Sequence, residues 1–237
     1  MRSQALLVDL DDTIIDDTGA VDAAWRQAIA THCRELDVAA VIKSVTEVRV
    51  WYWSDPARHA TGRMDLVGTW TWIVAEALRR CGVEDLDRAR RIANDHHDHR
   101  RASQVLLPGA VEALERLRRA GIRLALLTNG GPQSQRPKIE RFDLARHFDH
   151  ICIEGEFGCG KPDERVYRDA MTALGSTPAT TWMVGDNLEW DVAAPMRLGI
   201  TGVWIDRHAH GVPEGRDVRP DRIVQALAEL PRLLLDP

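Results

Sequence analysis

Residues 5–13 read Ala-Leu-Leu-Val-Asp-Leu-Asp-Asp-Thr. A short, wholly apolar run such as 5–8 is typical of a parallel strand that is buried on both faces. Asp9 and Asp11 follow it directly, and ligands of open α/β sheets bind beyond the carboxyl ends of the strands. One carboxylate can act as a nucleophile and the other as an acid/base, provided that a cation offsets their repulsion. Taken alone, the segment fits a helix cap or a solvated turn equally well.

Two further apolar runs resemble the first, at residues 124–127 and 182–184. Residues 111–120 and 166–174 lie outside these runs and have apolar residues at helical spacing, with a glycine directly after each segment. Alternation of strands and helices predicts a Rossmann-like, doubly wound parallel α/β sheet. A Gly/Pro-rich stretch then predicts a loop before a final helix at Asp221–Leu230.

Residues 15–102 have a different pattern, with helical spacing throughout and no strand candidate. This pattern predicts an all-helical subdomain that interrupts the α/β unit after its first strand. We therefore expect a core of residues 1–14 and 103–237 and an inserted cap of residues 15–102. The predicted helical faces fall in residues 21–33, 38–48, 66–78 and 86–93.

Two polar segments have the composition of a phosphate site. Thr128, Asn129 and Gly130 follow a predicted strand, and their hydroxyl and backbone N–H groups suit an oxyanion. Lys161 lies between a glycine and a proline, which restrict its backbone, and its ammonium group would reach a phosphoryl group. Read singly, the first segment also fits an ordinary turn and the second an exposed lysine.

A third polar segment begins with Gly185 and Asp186, directly after another predicted strand. A carboxylate at this position is well placed to bind a hard cation, which prefers oxygen ligands. Asn187 follows at once. Asp191, five residues beyond Asp186, either supports the same site or caps the next helix.

The order of these segments resembles the haloacid dehalogenase superfamily. Its motifs are Asp-x-Asp-x-Thr, then Ser/Thr, then Lys, then Gly-Asp followed by a second Asp. The resemblance covers essentially the whole chain and implies a Rossmann-like core with a helical cap. The matching residues are Asp9, Asp11, Thr13, Thr128, Lys161, Gly185, Asp186 and Asp191.

The resemblance implies a mechanism for a Mg²⁺-dependent phosphohydrolase. Asp9 would form an aspartyl-phosphate, and Asp11 would protonate the leaving oxygen and later take a proton from water. Asp9, Asp186 and the backbone carbonyl of Asp11 would hold Mg²⁺. Thr128 and Lys161 would bind the phosphoryl oxygens, with Asn129 and Gly130 alongside. Thr13, Asn187 and Asp191 would support the site.

The same resemblance separates branches of the superfamily. Dehalogenases of 2-haloacids lack the second aspartate of the first motif, so Asp11 argues against halide chemistry. Phosphomutases share the whole motif set and stay open, as does a non-catalytic phosphate- or partner-binding module. Strings near the site resemble N-acylneuraminate-9-phosphatases and pyrimidine 5′-nucleotidases. These strings contain Gln133, Gln135, Lys138, residues 185–189 and residues 203–205.

The composition limits the partners of the chain. A formal net charge of −5 over 237 residues argues against nucleic acid as a partner, which usually needs a basic stripe. No apolar run reaches the roughly 20 residues of a membrane span, and no secretory signal pattern is present. Four scattered cysteines predict reduced thiols in the cytoplasm. We expect a small phosphorylated metabolite as substrate, and the pattern leaves the oligomeric state open.

Several residues of the predicted cap invite a functional interpretation. Its tryptophans can stack on a sugar or base, but we expect them to fill the small helical core. Two arginines can meet a substrate anion, although exposed arginines are common. Three histidines resemble a metal site, but no further ligand is evident and we expect a solvated helix. These residues are Trp51, Trp53, Trp70, Trp72, Arg58, Arg63, His96, His97 and His99.

Overall fold

The computed structural model describes residues 4–235, which form two compact units. One unit contains the residues up to Asp16 and those from Val105 onward, and the other contains Asp17–Gln104. Both junctions lie two residues later than the sequence pattern predicted. The predicted core also includes residues 1–3 and 236–237, which lie outside the described residues.

The first unit is built on a six-stranded parallel sheet with the strand order β5-β4-β1-β6-β7-β8. A two-stranded antiparallel ribbon, β2 with β3, accompanies it. The predicted α/β fold class is therefore confirmed. The strands are β1 (Ala5–Val8), β2 (Ile15–Asp16), β3 (Val105–Leu106), β4 (Arg123–Thr128), β5 (His150–Ile153), β6 (Thr181–Gly185), β7 (Thr201–Ile205) and β8 (Arg222–Val224).

Helices α1–α5 make up the second unit, and the remaining helices belong to the first. This confirms the predicted helical insertion. The helices are α1 (Val21–His32), α2 (Val38–Trp53), α3 (Pro56–Gly62), α4 (Leu66–Arg80), α5 (Leu86–Ser103), α6 (Ala110–Arg119), α7 (Pro132–Arg141), α8 (Glu154–Phe157), α9 (Glu164–Leu174), α10 (Ala194–Arg197) and α11 (Leu230–Leu235).

Strand β1 lies in the middle of the sheet and is buried on both faces. Leu6 and Val8 pack into one apolar cluster and Leu7 into the other, because successive side chains of a strand point to opposite faces. This double burial explains the continuous apolar run. Val8 pairs with β4 on one side and with β6 on the other, so the chain leaves all three strands at nearly the same level.

The strand order reverses at β1. The chain passes from β1 to β4 and β5 on one side, and then to β6, β7 and β8 on the other side. Such a reversal opens a crevice at the carboxyl ends of the central strands, where ligands of doubly wound sheets bind. The loops after β1, β4 and β6 carry the predicted polar segments to this edge.

The helical unit has its own apolar core, in which α1, α4 and α5 make the most extensive contacts. An aspartate caps the beginning of each of its last four helices by accepting a backbone N–H at the third helical position. Helix α3 was not predicted, although Asp55 and Pro56 are a standard cap and first helical residue. The capping residues are Asp37, Asp55, Asp65 and Asp85.

Two sequence-based predictions are wrong. The predicted final helix at Asp221–Leu230 is instead strand β8, a short 3₁₀ turn and the beginning of α11. The β-branched Ile223 and Val224 pair with β7, and this tertiary pairing outweighs the apolar spacing. Ile15–Asp16 is also a short strand, within a region expected to be helical throughout.

All four cysteines are free, as the scattered spacing predicted. Among residues 4–235, no helix is both long enough and apolar enough to span a membrane.

Candidate active site

Asp9 lies directly beyond β1, and its side chain is buried. Its Oδ1 accepts a hydrogen bond from Lys161 Nζ at 2.6 Å, and its Oδ2 accepts a longer one from Thr13 Oγ1 at 3.3 Å. Burial raises the pKa of Asp9 to about 6, although the positive charge of Lys161 opposes this rise. Asp9 is thus a buried carboxylate whose charge depends on neighbouring cations.

Lys161 is 1% exposed and also donates to Asp191 Oδ1 at 2.7 Å. Burial by itself would lower the pKa of Lys161, but the negative charges of Asp191 and Asp9 raise it above its ordinary value. Lys161 therefore stays positive at neutral pH. Taken alone, the sequence context of Lys161 also fitted an exposed lysine, and that interpretation is wrong.

Asp191 approaches β6 closely because Gly185 has no side chain. A Cβ on Gly185 would lie 2.2 Å from Asp191 Oδ2. That oxygen accepts the backbone N–H of Asn187, whose own side chain caps the following π-helical turn. Gly185 and Asn187 thus hold Asp191 against Lys161. The sequence also allowed Asp191 to cap the next helix, but Asn187 is the capping residue there.

Asp9, Asp186 and Asp191 form a group of potential metal ligands, with oxygens within 4.8 Å of one another. The pKa of Asp186 is raised to about 8 by desolvation and by the charges of Asp9, Asp191 and Asp12. The Asp186 side chain is exposed to solvent, and three neighbouring carboxylates crowd negative charge around it. A hard cation would relieve this crowding, and carboxylate oxygens are its preferred ligands. The donor set therefore fits Mg²⁺.

Asp11 points its carboxylate at helix α7. Lys138 Nζ donates to Asp11 Oδ1 at 2.7 Å, and Gln135 Nε2 donates to Asp11 Oδ2 at 2.9 Å. Both partners are buried. In the sequence, Gln135 and Lys138 were only part of a family resemblance, with no role of their own. Their spacing of three on a helix is the signal that would have placed them on one face.

The loop after β4 is held by its own polar groups. Asn129 Nδ2 donates to the backbone oxygen of Lys161 at 2.7 Å, and Asn129 Oδ1 accepts the backbone N–H of Lys161 at 2.8 Å. Gly130 N donates to Glu154 Oε2 at 2.8 Å. The Asn129 side chain and the Gly130 N–H are therefore engaged within the protein, where the sequence predicted phosphate binding. Thr128 is buried, and its Oγ1 accepts from Gln135.

Gly160 allows this loop to lie close to Lys161. A Cβ at Gly160 would lie 2.5 Å from the Cδ of Glu154 and 2.6 Å from Oδ1 of Asn129. The peptide bond between Lys161 and Pro162 is cis. Asp163 then caps α9 by accepting the N–H of Arg165. Glu154, which was not predicted as a site residue, accepts the Gly130 N–H and so links the β4 loop to the end of β5.

The histidines of the helical unit differ from expectation. His96 is 1% exposed and stacks on Trp25 with ring centroids 3.7 Å apart, so its predicted solvation is wrong. Burial, followed by the charges of Arg100 and Arg49, lowers the pKa of His96 to about 2. No histidine belongs to a group of potential metal ligands in the described part of the chain.

The cap tryptophans divide into two classes. Trp70 is buried in the core as predicted, but Trp51 and Trp72 are 48% and 46% exposed. Arg58 lies over the ring of Trp51 at 3.8 Å and donates to two backbone oxygens of α2. Arg63 Nη1 lies 3.3 Å from His59 Nδ1. Both arginines thus have partners inside the helical unit.

The comparison with known families agrees with this geometry. A family model described as haloacid dehalogenase-like hydrolase matches residues 4–199. The chain belongs to this family. The resemblance found in the sequence motifs is therefore confirmed.

Two curated relatives of this hydrolase are phosphatases. Phosphoserine phosphatase of Thermus thermophilus is 34% identical over 244 residues, covering 95% of this chain and 96% of the relative. N-acylneuraminate-9-phosphatase of Rattus norvegicus is 32% identical over 244 residues, covering 98% and 94%. The chain is thus a phosphatase-type hydrolase, and the predicted likeness to N-acylneuraminate-9-phosphatase is confirmed.

A solved structure agrees on the fold of the hydrolase. The structure of YfnB from Bacillus subtilis, bound to magnesium, has a TM-score of 0.76 over 99% of this chain and 100% of that one. Its sequence is 19% identical, so this likeness concerns the fold alone.

Proposed function

We propose that this hydrolase is a Mg²⁺-dependent phosphomonoesterase that cleaves a small phosphorylated metabolite through an aspartyl-phosphate on Asp9. The observation that carries the proposal is the contact of Asp9 Oδ1 with Lys161 Nζ, beside Asp186 and Asp191. This arrangement gives one buried carboxylate a cationic partner and a group of metal ligands. Phosphoryl transfer depends mainly on such positioning and charge neutralisation.

In the first half-reaction an oxygen of Asp9 attacks phosphorus, and the bond from phosphorus to the leaving oxygen breaks. Asp11 gives its proton to that oxygen, so the product leaves as an alcohol. Lys161 and the hydroxyl of Thr128 bind the phosphoryl oxygens. Lys161 also balances the negative charge that gathers around Asp9 and Asp191.

In the second half-reaction a water molecule attacks the phosphorus of the aspartyl-phosphate. Asp11 takes a proton from that water, inorganic phosphate leaves, and Asp9 is a carboxylate again. Asp11 is then protonated for the next substrate, so protons balance over the cycle. The two roles require Asp11 to stay beside the leaving oxygen and the attacking water in turn.

Asp9 and Asp186 are the proposed side-chain ligands of Mg²⁺, with the backbone carbonyl of Asp11. When bound, the ion would offset negative charge on the transferring group. Asp191 supports the site by accepting a hydrogen bond from Lys161 on one oxygen, while the Asn187 N–H holds its other oxygen. Thr13 supports the site through Asp9.

Hydrolysis of p-nitrophenyl phosphate with Mg²⁺ and with a chelator tests the proposal. We expect metal-dependent release of p-nitrophenol and inorganic phosphate, and its loss in Asp9→Asn. Undiminished turnover in Asp9→Asn would contradict a nucleophilic role for Asp9. A screen of phosphorylated metabolites then identifies the substrate, and the appearance of an isomerised sugar phosphate instead of free phosphate would indicate a phosphomutase.

A further inference from the structure

Two polar residues of α7 are buried where helices usually present apolar side chains. Gln135 is 2% exposed and Lys138 is 6% exposed. Lysine is among the residues least often buried, and a buried lysine needs a charged or hydrogen-bonding partner. Being three residues apart, the two side chains lie on one face of the helix, and both contact Asp11. The site thus contains a second buried lysine besides Lys161.

The side-chain amide of Gln135 connects three parts of the site. Its Nε2 lies 2.9 Å from Asp11 Oδ2, 2.8 Å from the backbone oxygen of Asn129 and 2.6 Å from Thr128 Oγ1. The backbone carbonyl of Asn129 can only accept a hydrogen bond, so it determines the orientation of the amide, with its NH₂ group toward the site. The NH₂ group has two hydrogens for three acceptors, so one hydrogen is shared between two of them.

This orientation has a consequence for Thr128. When Thr128 Oγ1 accepts a hydrogen bond from Gln135, its own hydrogen points away from the amide. The hydroxyl is then available as a donor, which is the role that binding a phosphoryl oxygen requires. Gln135 thus determines where the Thr128 hydroxyl lies and also that it acts as a donor toward the phosphoryl group.

Lys138 and Gln135 hold the plane of the Asp11 carboxylate. Lys138 donates to one oxygen and Gln135 to the other, both from one face of α7. With a donor on each oxygen, the carboxylate cannot rotate about its Cβ–Cγ bond without losing a contact.

We propose that Gln135 and Lys138 are positioning residues that hold Asp11 for proton transfer, and that Gln135 also orients the Thr128 hydroxyl. The inference rests on the proposed function, in which Asp11 protonates the leaving oxygen. Each of the two side chains acts through a residue that does the chemistry or binds the phosphoryl group.

A series of substituted phenyl phosphates separates positioning from a merely structural role. The 4-nitro, 4-chloro, unsubstituted and 4-methoxy esters are similar in size but leave as phenolates of increasing basicity. A stable leaving phenolate needs little help from an acid, whereas a basic one needs a well-placed proton. General acid catalysis contributes about 10²–10⁴-fold to rate. Misplacing Asp11 should therefore slow the poor leaving groups most.

The informative variant is Lys138→Met, compared with Arg136→Met. Arg136 is a cation of the same helix that pairs with the exposed Glu156, so it controls for changes to α7. In Lys138→Met we expect kcat/KM to fall less than about 10-fold for the 4-nitro ester and about 10²-fold or more for phenyl phosphate. Arg136→Met should leave the whole series unchanged, and Lys138→Arg should restore most of the lost rate.

Gln135→Met tests the second half of the proposal. Because Gln135 serves both Asp11 and Thr128, its loss should steepen the leaving-group dependence and also raise KM and the inhibition constant of inorganic phosphate. Lys138→Met should change kcat with little change in these two constants. A general loss of stability would not produce this difference between the two variants. Thermal unfolding of each variant measures its stability separately.

The outcomes are distinct. An equal fold-loss across the ester series in both Lys138→Met and Gln135→Met would overturn the inference and leave the proposed function standing. Absence of metal-dependent turnover in the unmodified protein would overturn the proposed function and the inference together. If Lys138→Met does not fold, Gln135→Met decides the question through the same series.

Discussion

The α/β unit and the helical unit differ in where their buried charges lie. In the α/β unit the buried Asp9, Lys161 and Asp191 contact one another at the candidate active site. In the helical unit the buried Asp17 is its first residue and pairs with Arg100, whereas Ser44 and Thr69 each donate to a backbone carbonyl, which satisfies the hydroxyl locally. Burying charges at the candidate site costs desolvation energy but keeps them available for chemistry. The locally bonded hydroxyls let the helical core pack without unsatisfied polar groups.

The two units also obtain their stability differently. The sheet has an apolar cluster on each face, so the polar loops of the site lie outside the residues that form its core. The helical unit has a separate, mostly aliphatic core, in which Trp25 packs against both Trp70 and His96. Substitutions in the first unit should therefore affect activity most, and substitutions in the second should affect stability most.

The largest expected effect is that of Lys161→Met. Removing this ammonium group leaves Asp9 and Asp191 buried without their cation, which should cost about 3–5 kcal/mol of unfolding free energy. Turnover of p-nitrophenyl phosphate should fall by about 10²–10³-fold, because a donor to the transferring group is lost. Denaturant unfolding and steady-state kinetics measure the two effects.

Lys43→Met is the matched control for this change. Lys43 lies on the helical unit, is 79% exposed and reaches Glu47 only at 4.0 Å. The Lys43→Met substitution should leave the unfolding free energy and the turnover nearly unchanged. If Lys161→Met were as harmless as Lys43→Met, the contrast between the units would be wrong.

A pair of tryptophans tests the helical unit. Trp25 is 3% exposed and Trp72 is 46% exposed. Trp25→Ala should reduce the unfolding free energy by about 3–5 kcal/mol, whereas Trp72→Ala should cost less than about 1 kcal/mol. Denaturant unfolding followed by far-UV circular dichroism distinguishes them. Equal losses in the two variants would show that the buried Trp25 does not stabilise the helical unit more than the exposed Trp72 does.

Metal binding should stabilise the α/β unit through its carboxylates. Mg²⁺ at about 100 times its dissociation constant should raise the unfolding free energy by about 2.7 kcal/mol. Asp186→Asn should abolish most of this gain but raise the midpoint of the metal-free protein, since it removes a crowded charge. Thermal unfolding with and without Mg²⁺ measures both effects. A full Mg²⁺ gain in Asp186→Asn would exclude Asp186 as a ligand.

Acid should destabilise the helical unit through His96. Its pKa is about 2 in the folded state, against an ordinary value of 6.5, so the unfolded chain binds the proton first. Stability from this group is therefore present above pH 6.5 and is lost as the pH falls toward 2. Between pH 7 and pH 5 the loss is about 2 kcal/mol.

His96→Phe keeps a ring against Trp25 and removes the titration. The difference in unfolding free energy between pH 7 and pH 5 should shrink by about 2 kcal/mol relative to the unmodified protein. Denaturant unfolding at the two pH values, followed by tryptophan fluorescence, measures it. An unchanged difference would mean that His96 does not control the acid sensitivity.

The pattern of the sequence was informative wherever one local interaction dominates. Three strands were predicted because their residues are apolar without interruption, and burial on both faces requires that. Helices α6 and α9 were found because apolar spacing and a glycine directly after each segment agree. Strand β8 was mistaken for a helix because its short β-branched run is specified by pairing with β7 and not by local spacing.

The candidate site shows the same difference between local and long-range signals. Asp9, Thr128, Lys161 and Asp186 were identified because each follows a strand or precedes a helix in the order that the family motifs have. The partners of Asn129 and Asp11 were not identified. Lys138 follows Asp11 by 127 residues, and no local pattern predicts such a contact.

By itself the sequence therefore determined the α/β class, the helical insertion, the family and the order of the chemical groups. These depend on the spacing of apolar residues and on short motifs, which are local properties of the chain. Only the tertiary structure decided that the Asn129 side chain holds the backbone of Lys161, that Gln135 and Lys138 hold Asp11, and that His96 is buried. Such contacts join residues far apart in sequence, and they form only when the packing of strands and helices brings those residues together.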